Sequence, residues 1–180
     1  MNYFCRFLSL LFLLPVSLHA SDLTLFGGFH HPGKITLQPS AGAISSATGQ
    51  LLTDPKDFGV FGARLYRSNM PIGPEFTVAY SPSFVESGVN AFIYNINLRA
   101  SLMPGPLTPY VTAGIGGLRA GGTGPGAFGN KFAINYGGGL KLGLVGPLEG
   151  RIDLRGYSVR GIQNQNLNLI EATVGIVFGF

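Results

Sequence analysis

The last thirteen residues, Asn168 to Phe180, constrain the fold more than any other stretch. Ile170, Ala172, Val174, Ile176, Phe178 and Phe180 share one parity, and Leu169, Glu171, Thr173, Gly175, Val177 and Gly179 share the other. A period of two puts successive side chains on opposite faces, which is a strand. The first face is apolar to the last residue. The second is small or polar, apart from Leu169 and Val177. A buried strand of a soluble sandwich could carry this pattern. So could a strand whose outer face meets lipid and whose inner face lines a packed or wet lumen.

Composition favours the second environment. Only 11% of the 180 residues are charged, against about 25% in an ordinary soluble domain. No apolar stretch is long enough for a membrane helix. The 28 glycines follow no Gly-X-Y period, which excludes collagen. The formal charge of +4 is scattered rather than clustered, so no nucleic-acid surface is expected.

The first twenty residues read as a cleaved signal peptide, with the remaining domain spanning 21–180. Arg6 supplies the positive end, Phe7 to Leu14 the apolar core, Pro15 the break and Leu18-His19-Ala20 the cleavage site. Cys5 precedes the apolar core, so it is misplaced for a lipoprotein signal.

The alternation recurs along the mature chain. Leu23, Leu25 and Phe29 oppose Thr24, Phe26 and His30. Phe58 to Arg67, Glu75 to Ser83, Asn90 to Met103, Leu107 to Leu118, Phe132 to Leu144 and Leu148 to Arg160 repeat the beat, and the final stretch is the eighth strand. Connections at Ser68–Pro74, Pro104–Pro106 and Val145–Pro147 are tight and rich in Pro and Gly. Those at Pro32–Asp57, Phe84–Val89, Ala120–Asn130 and Gly161–Asn166 read as longer loops. Two strand-like pieces in the first, Lys34–Gln38 and Gln50–Thr53, suggest a raised hairpin that extends the flanking strands.

The terminal Phe180 on an alternating strand, and the run Glu75-Phe-Thr-Val-Ala-Tyr-Ser-Pro82, resemble the small outer-membrane β-barrel domain family of Gram-negative bacteria. The resemblance covers nearly all of the mature chain and rests on generic motifs. It implies an all-β, eight-stranded antiparallel transmembrane β-barrel with short periplasmic turns and longer extracellular loops. It also implies a porin-like cell-envelope protein of the outer membrane that is a monomer and has outer-membrane lipid as its surroundings. Phe178 and Phe180 would form the signal read by the barrel-assembly machinery. Extracellular ligands would be met through the outer loops, Pro32–Asp57 above all. No periplasmic domain is expected after the barrel.

In this register the inward polar side chains are Arg64, Glu75, Asn95, Asn97, Arg99, Asn135, Lys141, Glu149, Arg151, Asp153, Arg155 and Glu171. Mixed signs in a lumen just wide enough for side chains suggest a plug of ion pairs and hydrogen bonds. Glu75 and Arg99 could meet at one level, as could Lys141, Glu149 and Arg151 across the Gly146–Pro147 turn. Phe29, Phe61, Tyr80, Phe92, Phe132, Phe178 and Phe180 fall near strand ends on the lipid parity, as interface girdles do.

Three other readings compete. A gated ion or small-solute pore would use the same inward residues. A lipid A-modifying enzyme of the eight-stranded type would draw on His31, Ser45, Ser46, Asp54 and Asp57, which share one loop region but no family motif. A soluble, secreted lipocalin-type barrel would need an apolar interior and a charged exterior, the reverse of this register. His30 and His31 point to opposite faces, so they are poor joint metal ligands. Gly124 to Gly129 matches GxGxxG, but a strand follows where a dinucleotide site needs a helix. No catalytic residue, metal or cofactor is therefore assigned.

Overall fold

The computed structural model describes residues 21–33, 36–37, 50–51, 56–67, 71–85, 87–123, 126–146, 148–162 and 165–180. The proposed signal peptide, residues 1–20, lies outside them. The strands are β1 (Ser21–Pro32), β2 (Thr36–Leu37), β3 (Gln50–Leu51), β4 (Phe58–Arg67), β5 (Ile72–Ser81), β6 (Val89–Ser101), β7 (Leu107–Gly122), β8 (Gly129–Val145), β9 (Leu148–Ile162) and β10 (Gln165–Gly179). Eight of them close a barrel in the order β1-β10-β9-β8-β7-β6-β5-β4, every neighbour antiparallel. Closure pairs β1 with both β10 and β4, and the Ser21 and Phe180 backbones exchange hydrogen bonds of 2.8 and 3.0 Å at the seam.

Several strands run further than their side chains suggested. β7 continues to Gly122 and β8 starts at Gly129, so much of the glycine-rich segment is ladder, with Ala120 opposite Gly129. β9 and β10 stay paired up to Ile162 and Gln165, inside the span read as a loop. Backbone pairing needs no side chain, so glycine reads as punctuation even where the neighbouring strand holds it. β5 begins at Ile72, and Pro74 lies beyond the last β4 partner, Glu75, where a missing N–H breaks no pairing on that side. β2 and β3 form a two-stranded ladder of their own rather than an extension of the barrel strands.

The polarity of the barrel is inverted relative to a soluble protein. Leu98, Leu154 and Val174 are 61%, 60% and 63% exposed, whereas Arg99 and Arg155 are 1% exposed. Outward parity carries Ile96, Val111, Ile115, Ile152, Ile170 and Ile176, all exposed. This rules out the lipocalin arrangement, in which the interior is the apolar side.

Glycine on the inner wall makes room for large neighbours. A Cβ at Gly139 would collide with the Tyr110 hydroxyl, and one at Gly137 with the Arg155 side chain and the backbone behind it. On the outer wall the rings of Tyr94 and Tyr136 lie over Gly117 and Gly156.

Candidate functional site

The chemistry-bearing groups of this barrel are gathered in its interior, and the strand register decides which of them meet. On β9 the inward positions run Arg151, Asp153, Arg155, one residue in two. Asp153 is the hub. Its Oδ2 accepts from Arg64 Nη1 at 2.9 Å and Arg151 Nε at 2.8 Å, and its Oδ1 accepts from Arg155 Nη2 at 3.0 Å and from the Tyr110 hydroxyl. Glu75, from β5 across the lumen, accepts 2.7 Å bonds from Arg151 and Arg155. Glu171 on β10 accepts from Arg64 Nη2 at 2.6 Å. Thr24 and Thr173 take further guanidinium donors from Arg151 and Arg64 at 3.2 Å. Arg64 also stacks 3.8 Å above the Phe26 ring.

Arg99 is held differently. Its nearest carboxylate oxygen, on Glu75, is 3.9 Å away and is already bonded to Arg151. The guanidinium instead lies between the rings of Tyr66 and Tyr110, at 4.2 and 4.0 Å. The expected meeting of Glu75 and Arg99 is present only as this long contact, and the short bonds of Glu75 go to Arg151 and Arg155, because Glu75 sits opposite Asn97 in register and Arg99 opposite Gly73. Nearer the turn end, Lys141 binds Glu149 at 2.6 Å and Asp22 at 2.8 Å. Arg151 does not join that group as expected. It points along the lumen to Glu75 and Asp153.

Asn95, Asn97 and Asn135 are buried. The first two donate weakly, to Tyr157 at 3.4 Å and to Thr77 at 3.3 Å, and lean over the bare Gly116 and Gly114. Among the described residues, Asn95 Oδ1, Asn97 Oδ1, both Asn135 side-chain atoms, Thr112 Oγ1 and Arg99 Nε and Nη1 have no hydrogen-bond partner. The β6–β8 side of the interior is therefore the less satisfied one.

Toward the loop end the interior turns apolar. Phe58, Val60, Phe84, Val89, Ile93, Leu118, Val159, Ile162, Leu167 and Leu169 pack into one cluster. Phe84 comes from the β5–β6 loop. Ser83 and Val85 on either side have φ of 52° and 63°, a left-handed backbone that is strained for a β-branched residue. The Phe84 N–H donates to the Val89 carbonyl at 2.7 Å, and its ring packs 4.8 Å from Phe58.

Sequence reasoning missed several partners. Asp22, Thr24, His30, Tyr110 and Thr173 all lie on the inward parity, which was the available signal, but parity does not name the partner. His30 is buried, with Nε2 3.1 Å from Glu171 Oε2 but out of line for a hydrogen bond. His31 points outward and pairs with Asp57 at 2.7 Å. Ser45, Ser46 and Asp54 lie outside the described residues, and among those described no serine joins His31 and Asp57. Among the described residues no group of three His, Cys, Asp or Glu could hold a metal ion.

No protein-family model matches the chain, and no curated protein matches it in sequence. Solved structures do match. Neisserial surface protein A superposes with a TM-score of 0.67 at 8% identity, over 90% of this chain and 99% of the other. The fold is that of the small outer-membrane β-barrels. OprG of Pseudomonas aeruginosa, an outer membrane protein, matches with a TM-score of 0.57 at 10% identity, covering 89% of this chain and 96% of the other. The N-terminal β-barrel domain of Pseudomonas aeruginosa OprF gives 0.52 at 15% identity, over 89% and 97%. These barrels share the path of the backbone with this chain. Its interior network must be argued from its own residues.

Proposed function

We propose that this chain is exported, cleaved after Ala20 and inserted in the outer membrane as a barrel with a sealed interior, acting as a structural or surface-interaction protein through its loops. One observation carries the reading. The exposed wall is apolar where Leu98, Leu154 and Val174 stand, and the ionic groups are inside. In water such a continuous apolar surface would aggregate. In lipid it is the required one, and closure leaves no strand edge unsatisfied. Shared fold with outer-membrane proteins supports the same location. The short turns, the start of β1 and the end of β10 then face the periplasm. In this reading the assembly machinery recognises Phe178 near the end of β10 and Phe180 just beyond it, both of them exposed.

The interior is sealed by two means, the ion pairs around Asp153 and the apolar cluster capped by Phe84. In outer-membrane fractions the protein should migrate differently on a gel before and after boiling. Recovery only in the soluble periplasm would refute the reading.

A pore is the second reading, favoured by the unpartnered polar atoms of Asn95, Asn97, Asn135 and Arg99. Single-channel recording on the reconstituted barrel separates the two: a sealed interior gives no conductance steps. The lipid-modifying enzyme reading is supported only by the His31–Asp57 pair, and a lipid A mass shift lost on His31→Ala would be needed to establish it.

A further inference from the structure

The interior cations stack on rings or meet carboxylates, but among the described residues some cations on the outer wall do neither, and one of them stands beside a row of aromatic rings. Phe61, Tyr80 and Phe92 stand opposite one another on β4, β5 and β6, and their rings touch, with centroids 5.5 and 4.9 Å apart. The next position in this row, opposite Phe92 on β7, is Arg119. A groove of about 700 Å³ opens there, lined by Tyr80, Asn90, Phe92, Arg119, Gly121 and Gly122. Arg119 is exposed, and no carboxylate among the described residues pairs with it. Arg160, exposed on the outward parity of β9 two strands further round, is in the same condition. The outward positions between them carry Asn130 and Phe132 and no acid.

A guanidinium on a lipid-facing wall is costly at mid-bilayer and tolerable only near the interface. The aromatic row beside it is the kind that marks the interface. Arg119 therefore stands at headgroup depth, where its planar fork suits a phosphate. The bare Gly121 floor leaves room for a headgroup, since nothing stands within 4 Å of where its Cβ would be. The acyl chains of the same molecule would run down over Phe92 and Tyr80. We propose that the Arg119 groove binds the phosphorylated headgroup of a lipid in the leaflet at the loop end, with Arg160 as an accessory cation. The inference rests on the membrane reading given above.

The test uses the full barrel refolded in phosphatidylcholine nanodiscs, with folding checked by heat-modifiable migration. Diphosphoryl lipid A and the same lipid stripped of its phosphates are titrated in, and bound lipid is counted by native mass spectrometry. The wild type should hold the phosphorylated lipid about tenfold more tightly. Arg119→Gln should lose most of that preference and Arg119→Lys should keep part of it. Arg67→Gln, at the opposite rim, should change nothing. Equal retention of both lipids, or an Arg119→Gln barrel that keeps the preference, would overturn the site while leaving the membrane reading intact. Failure of the wild type to fold in lipid would overturn both.

Discussion

Follow β10 inward from the loop end and the lumen-facing residues read Leu167, Leu169, Glu171, Thr173. β6 reads Ala91, Ile93, Asn95, Asn97, Arg99, and β4 reads Phe58, Val60, then Arg64. On each wall the interior passes from an apolar layer to a polar one within a few residues, with His30 at the boundary between Phe58 and Glu171. The apolar layer asks only for shape and volume. The polar layer asks for particular partners from β4, β5, β9 and β10 at matching heights. A one-residue slip of any strand would turn its ionic groups toward lipid. The apolar layer is thus a filler, and the polar layer fixes the register. A further asymmetry lies within the polar layer: every carboxylate on the Asp153 side takes at least one guanidinium, although Arg64 Nε, Arg155 Nη1 and Glu171 Oε2 have no hydrogen-bond partner, whereas the amides and Arg99 on the β6–β8 side have no short bond to a carboxylate.

The largest expected effect comes from removing the hub. Asp153→Ala leaves Arg64, Arg151 and Arg155 facing one another without their shared carboxylate. It should cost about 3–5 kcal/mol, the loss typical of breaking a buried charge network. Urea unfolding of the refolded barrel in vesicles, followed by gel migration, measures it. In the apolar layer, Leu169→Ala removes a fully buried side chain without stranding a charge, and about 2–3 kcal/mol is expected in the same assay. Arg99→Met is the smallest change. The one carboxylate contact of Arg99 among the described residues, Glu75 at 3.9 Å, keeps Arg151 and Arg155 when Arg99 is removed, so the barrel should stay within about 1 kcal/mol of wild type. If Arg99→Met matched Asp153→Ala, the distinction between the two sides of the polar layer would fall.

How far these layers can be read from the sequence follows from the same physics. Alternation names a face, so the inward placement of Arg64, Asn95, Asn97 and Asp153 was legible from parity alone. Asn95 and Asn97 were informative because two amides on one buried face need partners or water. Parity is silent about which wall a side chain reaches. It could not say that Glu75 takes its short bonds from Arg151 and Arg155 on the far side and holds Arg99, from the next strand, only at 3.9 Å. The two residues that broke the alternation on β10, Leu169 and Val177, are both buried inside, and Leu169 belongs to the apolar layer. That layer went unread because its residues, taken strand by strand, look like irregularities. Phe84 was invisible for another reason, since a loop residue carries no period. The glycines from 120 to 130 misled in the opposite sense, because a ladder carried by the neighbouring strands leaves no mark on side chains.

The central claim is that the apolar wall meets acyl chains while the polar layer is shielded from them. Single cysteines at Leu98, Leu154 and Val174, and at inward-facing Thr173, in residues 21–180, which hold no cysteine of their own, can carry a fluorophore in vesicles of brominated phosphatidylcholine. The account predicts strong quenching at 98, 154 and 174 and none at 173. Quenching at 173 with bright labels at 154 and 174 would contradict it.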